Sequence, residues 1–159
     1  MKITKALISI ALFCGMQVNA EGLNYDFEAD KADWSGRGNA TIELSSEQKN
    51  SGEQSLYVSN RSASWHGALF QSDYIEAGKT YVFSASAFST SNVRISLSIQ
   101  YSYDGSVSYN NVASADVYSY SWKQLSGEVI IPEDATDIQP YIECSSADQS
   151  FYLDDVSFV

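Results

Sequence analysis

From Ile138 to Ser145 apolar residues fall at every second position, Ile138, Pro140, Ile142 and Cys144, so Gln139, Tyr141, Glu143 and Ser145 project from the other side of an extended chain. A phenol ring and a carboxylate therefore share one face. The same alternation turns Tyr109 and Asn111 away from Val112, and it sets Arg37, Asn39, Thr41 and Glu43 opposite Ile42 and Leu44 where no bulge intervenes. Aromatic, carboxylate and guanidinium groups on one surface suit a pyranose ring, whose apolar face lies on an aromatic side chain. Its hydroxyl rim takes charge-assisted hydrogen bonds. The alternative is an ordinary polar sheet face. Pattern alone leaves both open.

Catalysis has little to draw on. His66 is the single histidine, and no Gly-x-Ser-x-Gly turn, His-Glu-x-x-His pair or Cys/His cluster occurs. Two carboxylates could act on a glycosidic bond, with Glu143 one candidate, but no second partner stands out. Cys144 falls on the apolar side and reads as a small hydrophobe.

These side chains need strands to position them. Strict alternation places Val93, Ile95, Leu97, Ile99, Tyr101 and Tyr103 on one face and Arg94, Ser96, Ser98, Gln100 and Ser102 on the other. Shorter runs at 40–45, 55–59, 81–88, 109–113, 123–131, 138–144 and 151–158 read as strands too. Asn50-Ser51-Gly52, Ala77-Gly78-Lys79, Asp104-Gly105-Ser106 and Pro132-Glu133-Asp134 supply the reversals. Many short antiparallel strands predict an all-β fold, a β-sandwich of jelly-roll type, with an up-and-down barrel as the competing arrangement. No repeat or linker divides residues 21–159, which read as one domain.

Residues 1–20 stand apart. Lys2 and Lys5 precede the apolar run Ala6–Phe13, and Val18-Asn19-Ala20 offers small-residue cleavage before Glu21, the pattern of a signal peptide. The run is too short to span a bilayer, so a secreted chain is expected. The full chain carries 9 basic and 20 acidic residues, for a net charge of −11, and losing Lys2 and Lys5 makes the remainder more acidic still. Nucleic acid and anionic membrane are poor partners for such a chain, since both demand basic patches. Only Cys144 survives cleavage, so no internal disulfide is expected.

Landmarks along the sequence carry a further signal: Asp26-Phe27-Glu28; Trp34 with Ser35-Gly36-Arg37-Gly38; Ser51-Gly52-Glu53-Gln54-Ser55-Leu56; Asn60-Arg61 with Trp65-His66-Gly67; Ala77-Gly78-Lys79-Thr80-Tyr81; Tyr109-Asn110-Asn111-Val112; Trp122 through Gly127; Tyr141-Ile142-Glu143; and Phe151 through Val156. In their order and spacing, from about Asn24 to Val159, the chain resembles the family 22 carbohydrate-binding modules. The resemblance implies a non-catalytic, monomeric jelly roll whose cleft holds internal stretches of xylan, or of mixed-linkage β-glucan. It implies that Arg37 hydrogen-bonds sugar hydroxyls, that Trp65 is the principal stacking aromatic, and that Tyr109, Tyr141 and Glu143 complete the cleft. Arg61 lies in a matching motif and could equally brace the loop carrying Trp65. Trp34 and Trp122 are expected in the core. Such a module stands alone or forms the front of a larger hydrolase. A small glycan-active β-sandwich enzyme and a surface adhesion domain are the competing functional classes.

Asp154 has the parity of Val156 and Phe158 and is expected to point inward, where a carboxylate needs pairing or a cation. Glu28 follows the first strand and could lie nearby. Oxygen donors of this kind suit Ca2+. The resemblance implies a structural calcium here, held by Glu28, Asp154 and backbone carbonyls of the turn that starts at Lys49.

Overall fold

The computed structural model describes the backbone of Met16–Asn19 and residues 22–159. The expected signal peptide lies outside the described residues, except for the backbone of Met16–Asn19. Among the described residues twelve strands follow in order: β1 Met16–Asn19, β2 Gly22–Tyr25, β3 Trp34–Arg37, β4 Thr41–Ser45, β5 Ser55–Ser59, β6 Gly67–Phe70, β7 Thr80–Phe88, β8 Val93–Tyr103, β9 Ser106–Val117, β10 Lys123–Ile130, β11 Thr136–Cys144 and β12 Phe151–Phe158. They form two antiparallel sheets. The five-stranded sheet runs β3-β6-β11-β8-β9. In the seven-stranded sheet β12 is central: β2 and β5 pair with successive parts of it, β7 also pairs with it, and β10 lies beyond β7. The expected sandwich is what forms, and the alternation explains why: strands such as β4, β7 and β8 each turn an apolar face toward the opposite sheet.

Aromatic rings fill the space between. Phe158 lies 4.6 Å from Phe70 and 4.5 Å from Phe83 between ring centroids, and Trp34 lies 5.3 Å from Phe70. Burying each such ring contributes about 1.5–3 kcal/mol. Trp34 is in the core as expected. Trp122 is not: it is half-buried and packs on Phe88, whose neighbour Ala87 is the one that enters the core.

Three local features steer the faces. Asp104 and Gly105, with φ of 49° and 75°, close the β8–β9 hairpin between the paired Tyr103 and Ser106, as a left-handed two-residue turn requires. Val112 is the extra residue where the register of β9 slips between Ala113 and Asn111. A Cβ on Gly127 of β10 would strike the Val112 carbonyl, so glycine there lets the two sheets approach. Finally, β12 bulges at Asp155, with φ of 47°, and the register slips between Asp154 and Ser157.

That bulge corrects one expectation. Asp154 pairs with Ser86, whereas Leu153 and Phe158 pair with the core residues Ala87 and Phe83. Asp154 therefore does not share the face of Val156. It points away from the sandwich core and is buried, at 0% exposure, by the turn at Asn50 and Ser51. A second correction concerns residues 37–43. The chain turns at Gly38, where φ is +66°, and passes from β3 in one sheet to β4 in the other. Thr41 and Glu43 consequently leave the face that carries Arg37.

Candidate functional site

Sheet register dictates which side chains meet on the outer face of the five-stranded sheet. Arg37 of β3 pairs with Gly67 of β6, which pairs with Glu143 of β11, which pairs with Ser96 of β8. One step along the strands, Ser35, Leu69, Tyr141, Ser98 and Asn111 align, and after another step Gln139, Gln100 and Tyr109 do so. A Cβ on Gly67 would strike the Ile142 carbonyl, so only glycine lets β6 lie this close to β11.

The result is an open hollow of about 750 Å³ lined by Arg37, Trp65, Leu69, Gln100, Tyr109, Gln139, Tyr141 and Glu143, among others. All five residues singled out from the sequence, Arg37, Trp65, Tyr109, Tyr141 and Glu143, come together there. Arg37 is the centrepiece. Its guanidinium carbon sits 3.7 Å from the Tyr141 ring centre, 5.5 Å from that of Trp65 and 6.0 Å from that of Tyr109. Nη1 donates to the Trp65 carbonyl at 2.8 Å and Nη2 to Gln100 Oε1 at 3.0 Å.

Tyr141 is more covered than a polar-face residue should be, because Arg37 lies flat on it; burial pushes its phenol pKa up, with Glu143 adding to the effect and Arg37 opposing it. Glu143 Oε2 stands 3.9 Å from Arg37 Nη1. That is attraction without a hydrogen bond, and burial outweighs it, so the Glu143 carboxyl is raised above the ordinary carboxylate range. Trp65 and Tyr109 behave differently: they are 51% and 64% exposed, wide apolar surfaces left to solvent on either side of a cation.

Trp65 owes its pose to its neighbours. Arg61, only 5% exposed, donates to six backbone carbonyls: Ala63, Ser64 and His66 on its own loop, Cys144 at the end of β11, and Ser146 and Gln149 on the β11–β12 connection. Of the two readings left open for Arg61, this geometry makes it the brace. His66 Nδ1 accepts the Ser62 N–H at 3.2 Å, and its ring crosses that of Trp65 edge-on at 4.4 Å. A side chain at Gly38 would collide with His66, so the reversal after Arg37 requires glycine twice over, for its φ and for this contact. Sequence reading missed Leu69, Gln100 and Gln139 as lining residues. Gln100 and Gln139 were on the polar sides of their strands, and their signal was parity alone. Leu69 sits in a four-residue strand too short to show any.

On the opposite sheet two carboxylates reach the turn at 49–54. Asp154 Oδ2 accepts the N–H groups of Asn50 and Ser51 at 2.8 and 3.1 Å, and Oδ1 accepts that of Asp155 at 2.8 Å. Glu28 accepts the N–H groups of Glu53 and Gln54. Burial pushes the Asp154 pKa up against those hydrogen bonds. These donors fit a hard cation, because one oxygen of each carboxylate takes a single N–H and keeps a free lone pair. No group of three or more His, Cys, Asp or Glu side chains gathers among the described residues, so carbonyl oxygens would have to complete a shell.

A β-sandwich whose sheet face opens into a hollow with aromatic walls and a hydrogen-bonding floor has the architecture of a sugar-binding module. Residues 20–149 match the carbohydrate binding domain family, and the chain belongs to it. It is 39% identical over 140 residues to Endo-1,4-beta-xylanase A of Thermotoga maritima, covering 84% of this chain and 13% of that enzyme. To the Xylanase/beta-glucanase of Ruminococcus flavefaciens it is 32% identical over 142 residues, covering 86% and 18%. The chain thus spans less than a fifth of the length of these relatives. Among solved structures, the C-terminal family 22 carbohydrate binding module of Clostridium thermocellum Xyn10B superposes with a TM-score of 0.83 at 29% identity, covering 89% of this chain and 96% of that one. A xylan-binding domain of the same family gives 0.84 at 29% identity over the same shares. These likenesses are to binding modules, and the chain is a non-catalytic one.

Proposed function

We propose that the hollow binds a neutral β-glycan, xylan first and mixed-linkage β-glucan second. The observation that carries this reading is the guanidinium of Arg37, fixed on Tyr141 between two exposed rings. Sugar faces would lie on Trp65 and Tyr109, while Arg37, Glu143, Gln100 and Gln139 offer donors and acceptors to hydroxyls. Relatives named as xylanases and a domain named as xylan-binding support the choice of polymer. The test is affinity electrophoresis in gels containing each polysaccharide. Wild type should be retarded by xylan, and Trp65→Ala should bind at least about tenfold more weakly, on the order of 1.4 kcal/mol, with unchanged thermal stability. Full retention of Trp65→Ala would overturn the cleft assignment. Glu143→Ala should lose affinity, and no form should release reducing ends.

The proposal extends to context. The module is read as exported through residues 1–20, monomeric, and serving a larger glycan hydrolase. Calcium is a separate proposal, resting on a wholly buried Asp154 that has no ion pair among the described residues. Asp154, Glu28 and the Lys49 carbonyl would hold the ion, which supplies positive charge to two carboxylates converging on one turn.

A further inference from the structure

A smaller hollow, of about 230 Å³, is lined by Asn92, Arg94, Asp116, Tyr118, Ser145 and Ser146, among others. Sheet register fixes its place. Glu143 of the cleft is level with Ser96 of β8 and Ser114 of β9; two residues on, Arg94 and Asp116 pair on the same face, and the Ser145 N–H continues that row by donating to the Arg94 carbonyl at 3.0 Å. The hollow therefore opens on the outer face of the five-stranded sheet, one row beyond the cleft.

One of its walls is a ring that the core does not use. Tyr120 and Tyr118, at 70% and 67%, are the most exposed aromatic side chains among the described residues, ahead of Tyr109 and Trp65 in the cleft. Both stand on the short connection after β9, and that connection is pinned: the Ser119 N–H donates to Asn92 Oδ1 at 2.8 Å and the Tyr120 N–H to the Ser89 carbonyl at 2.9 Å. Tyr120 has φ of 60°, a conformation that bulky residues seldom adopt, and its ring leans edge-on against Phe88 of β7. Tyr118 is left to the hollow. A ring already fixed by its backbone has little freedom to lose when a ligand covers it.

The polar lining says which ligand. Arg94 Nη1 donates to Asp116 Oδ1 at 2.9 Å, so the two charges cancel, while the other guanidinium N–H groups and Asp116 Oδ2 have no partner among the described residues. Asn92 spends its carbonyl on Ser119 and keeps its amide N–H groups. Arg61 holds the Ser146 carbonyl at 2.7 Å, which fixes the remaining wall. An anion or a metal ion finds no uncompensated charge here, and an apolar ligand would leave these groups unpaired. A neutral sugar meets both demands, with an apolar ring face for Tyr118 and hydroxyls for the donors and acceptors of β8, β9 and the connection after β11.

We propose that this hollow is a second sugar subsite, taking a single residue of a neutral glycan against Tyr118 independently of the cleft. The class of polymer rests on the cleft reading above; the site does not. A long polymer could occupy both places and gain from the second by effective concentration, whereas a short oligosaccharide gains nothing.

NMR titration of the 15N-labelled protein with linear xylotriose tests it, at about 10 mM sugar, enough to fill a site with a dissociation constant of about 1 mM. In Trp65→Ala, whose cleft is weakened, the amide signals of Asn92, Arg94 and Tyr118 should still move along a saturating curve. In Tyr118→Ala they should stay put, while those of Gln100 and Tyr141 move as in wild type; Tyr118→Phe, which keeps the ring, should restore the movement. On polymeric xylan Tyr118→Ala should be held at least about twofold more weakly than wild type, with unchanged affinity for xylotriose in the cleft. Signals at Asn92, Arg94 and Tyr118 that xylotriose leaves unmoved overturn the proposal, and so does equal movement with the same concentration of glycerol, or a dimer that Tyr118→Ala dissociates. Unmoved Gln100 and Tyr141 signals in wild type overturn the cleft reading instead.

Discussion

Arg61 and Asp154 do similar mechanical work with opposite charge. At the rim of the five-stranded sheet, a buried cation gathers six carbonyl oxygens from two loops and the end of β11. On the seven-stranded sheet, a buried anion, with Glu28 beside the same turn, gathers backbone N–H groups. In both places a side chain replaces water as the partner of a turn's backbone. The difference lies in what can titrate. A guanidinium stays charged under all ordinary conditions, so the loop carrying Trp65 is held regardless of pH. A carboxylate raised by burial can take up a proton, so the turn at 49–54 is the end that responds to the medium.

Substitution at the two anchors should separate them most. Arg61→Ala strands six carbonyls and is expected to cost about 3 kcal/mol or more in urea unfolding, with sugar affinity lost as Trp65 loses its support. Arg61→Lys, with three donors instead of five, should recover part of the stability. Asp154→Ala should cost less, about 1–3 kcal/mol, and leave sugar binding intact. Equal effects from the two would erase the contrast.

Metal comes next. A site saturated to about a hundred times its dissociation constant adds about 2.7 kcal/mol, so chelator should lower the melting temperature of wild type and not that of Asp154→Ala. A wild-type curve unmoved by verified metal removal would sink the calcium proposal. In chelator a smaller effect should emerge with pH. Because the folded Asp154 pKa is raised, the folded chain binds its proton more readily than the unfolded one, and stability from this group falls as pH rises from the ordinary carboxylate range through the raised value. The difference in stability between Asp154→Asn and wild type should therefore grow in the mutant's favour across that window; a constant difference would count against it. Glu143, raised for the same reason, contributes with the same sign. The smallest effect expected is that of salt on binding of an unbranched xylan, which should be slight, because a neutral ligand releases no counterions.

Much of this architecture was legible because alternation is a direct record of which face is buried. The boundaries of β5, β8 and β12 fall where the pattern puts them, and Tyr141 and Glu143 do share a face. What escaped were features that break the period. β3 and β6 are four residues long and each holds a glycine against nearby backbone, Gly36 against Ala40 of the following turn and Gly67 against β11, so neither displays an apolar stripe. The bulge at Asp155 flips Asp154 to the outer side, and parity counted through it gives the wrong face for the right burial. The passage of the chain between sheets at Gly38 has the same effect on Thr41 and Glu43. Trp122 was misplaced because a large ring invites a core assignment, while only the register with Ala87 and Phe88 reveals its side. The cleft residues could be named from motif order, but the stacking of Arg37 on Tyr141 is a matter of three dimensions.

That stacking bears on how quickly a sugar can be captured and released. An arginine side chain has about 2 kcal/mol of rotamer entropy to lose on becoming fixed. Here the loss belongs to folding, since the Trp65 carbonyl, Gln100 and the Tyr141 ring already hold the guanidinium. An arriving chain meets a finished floor and need only settle its own rings against two side chains. Association is then limited by diffusion and orientation, and differences between one glycan and another should be read in how long each stays.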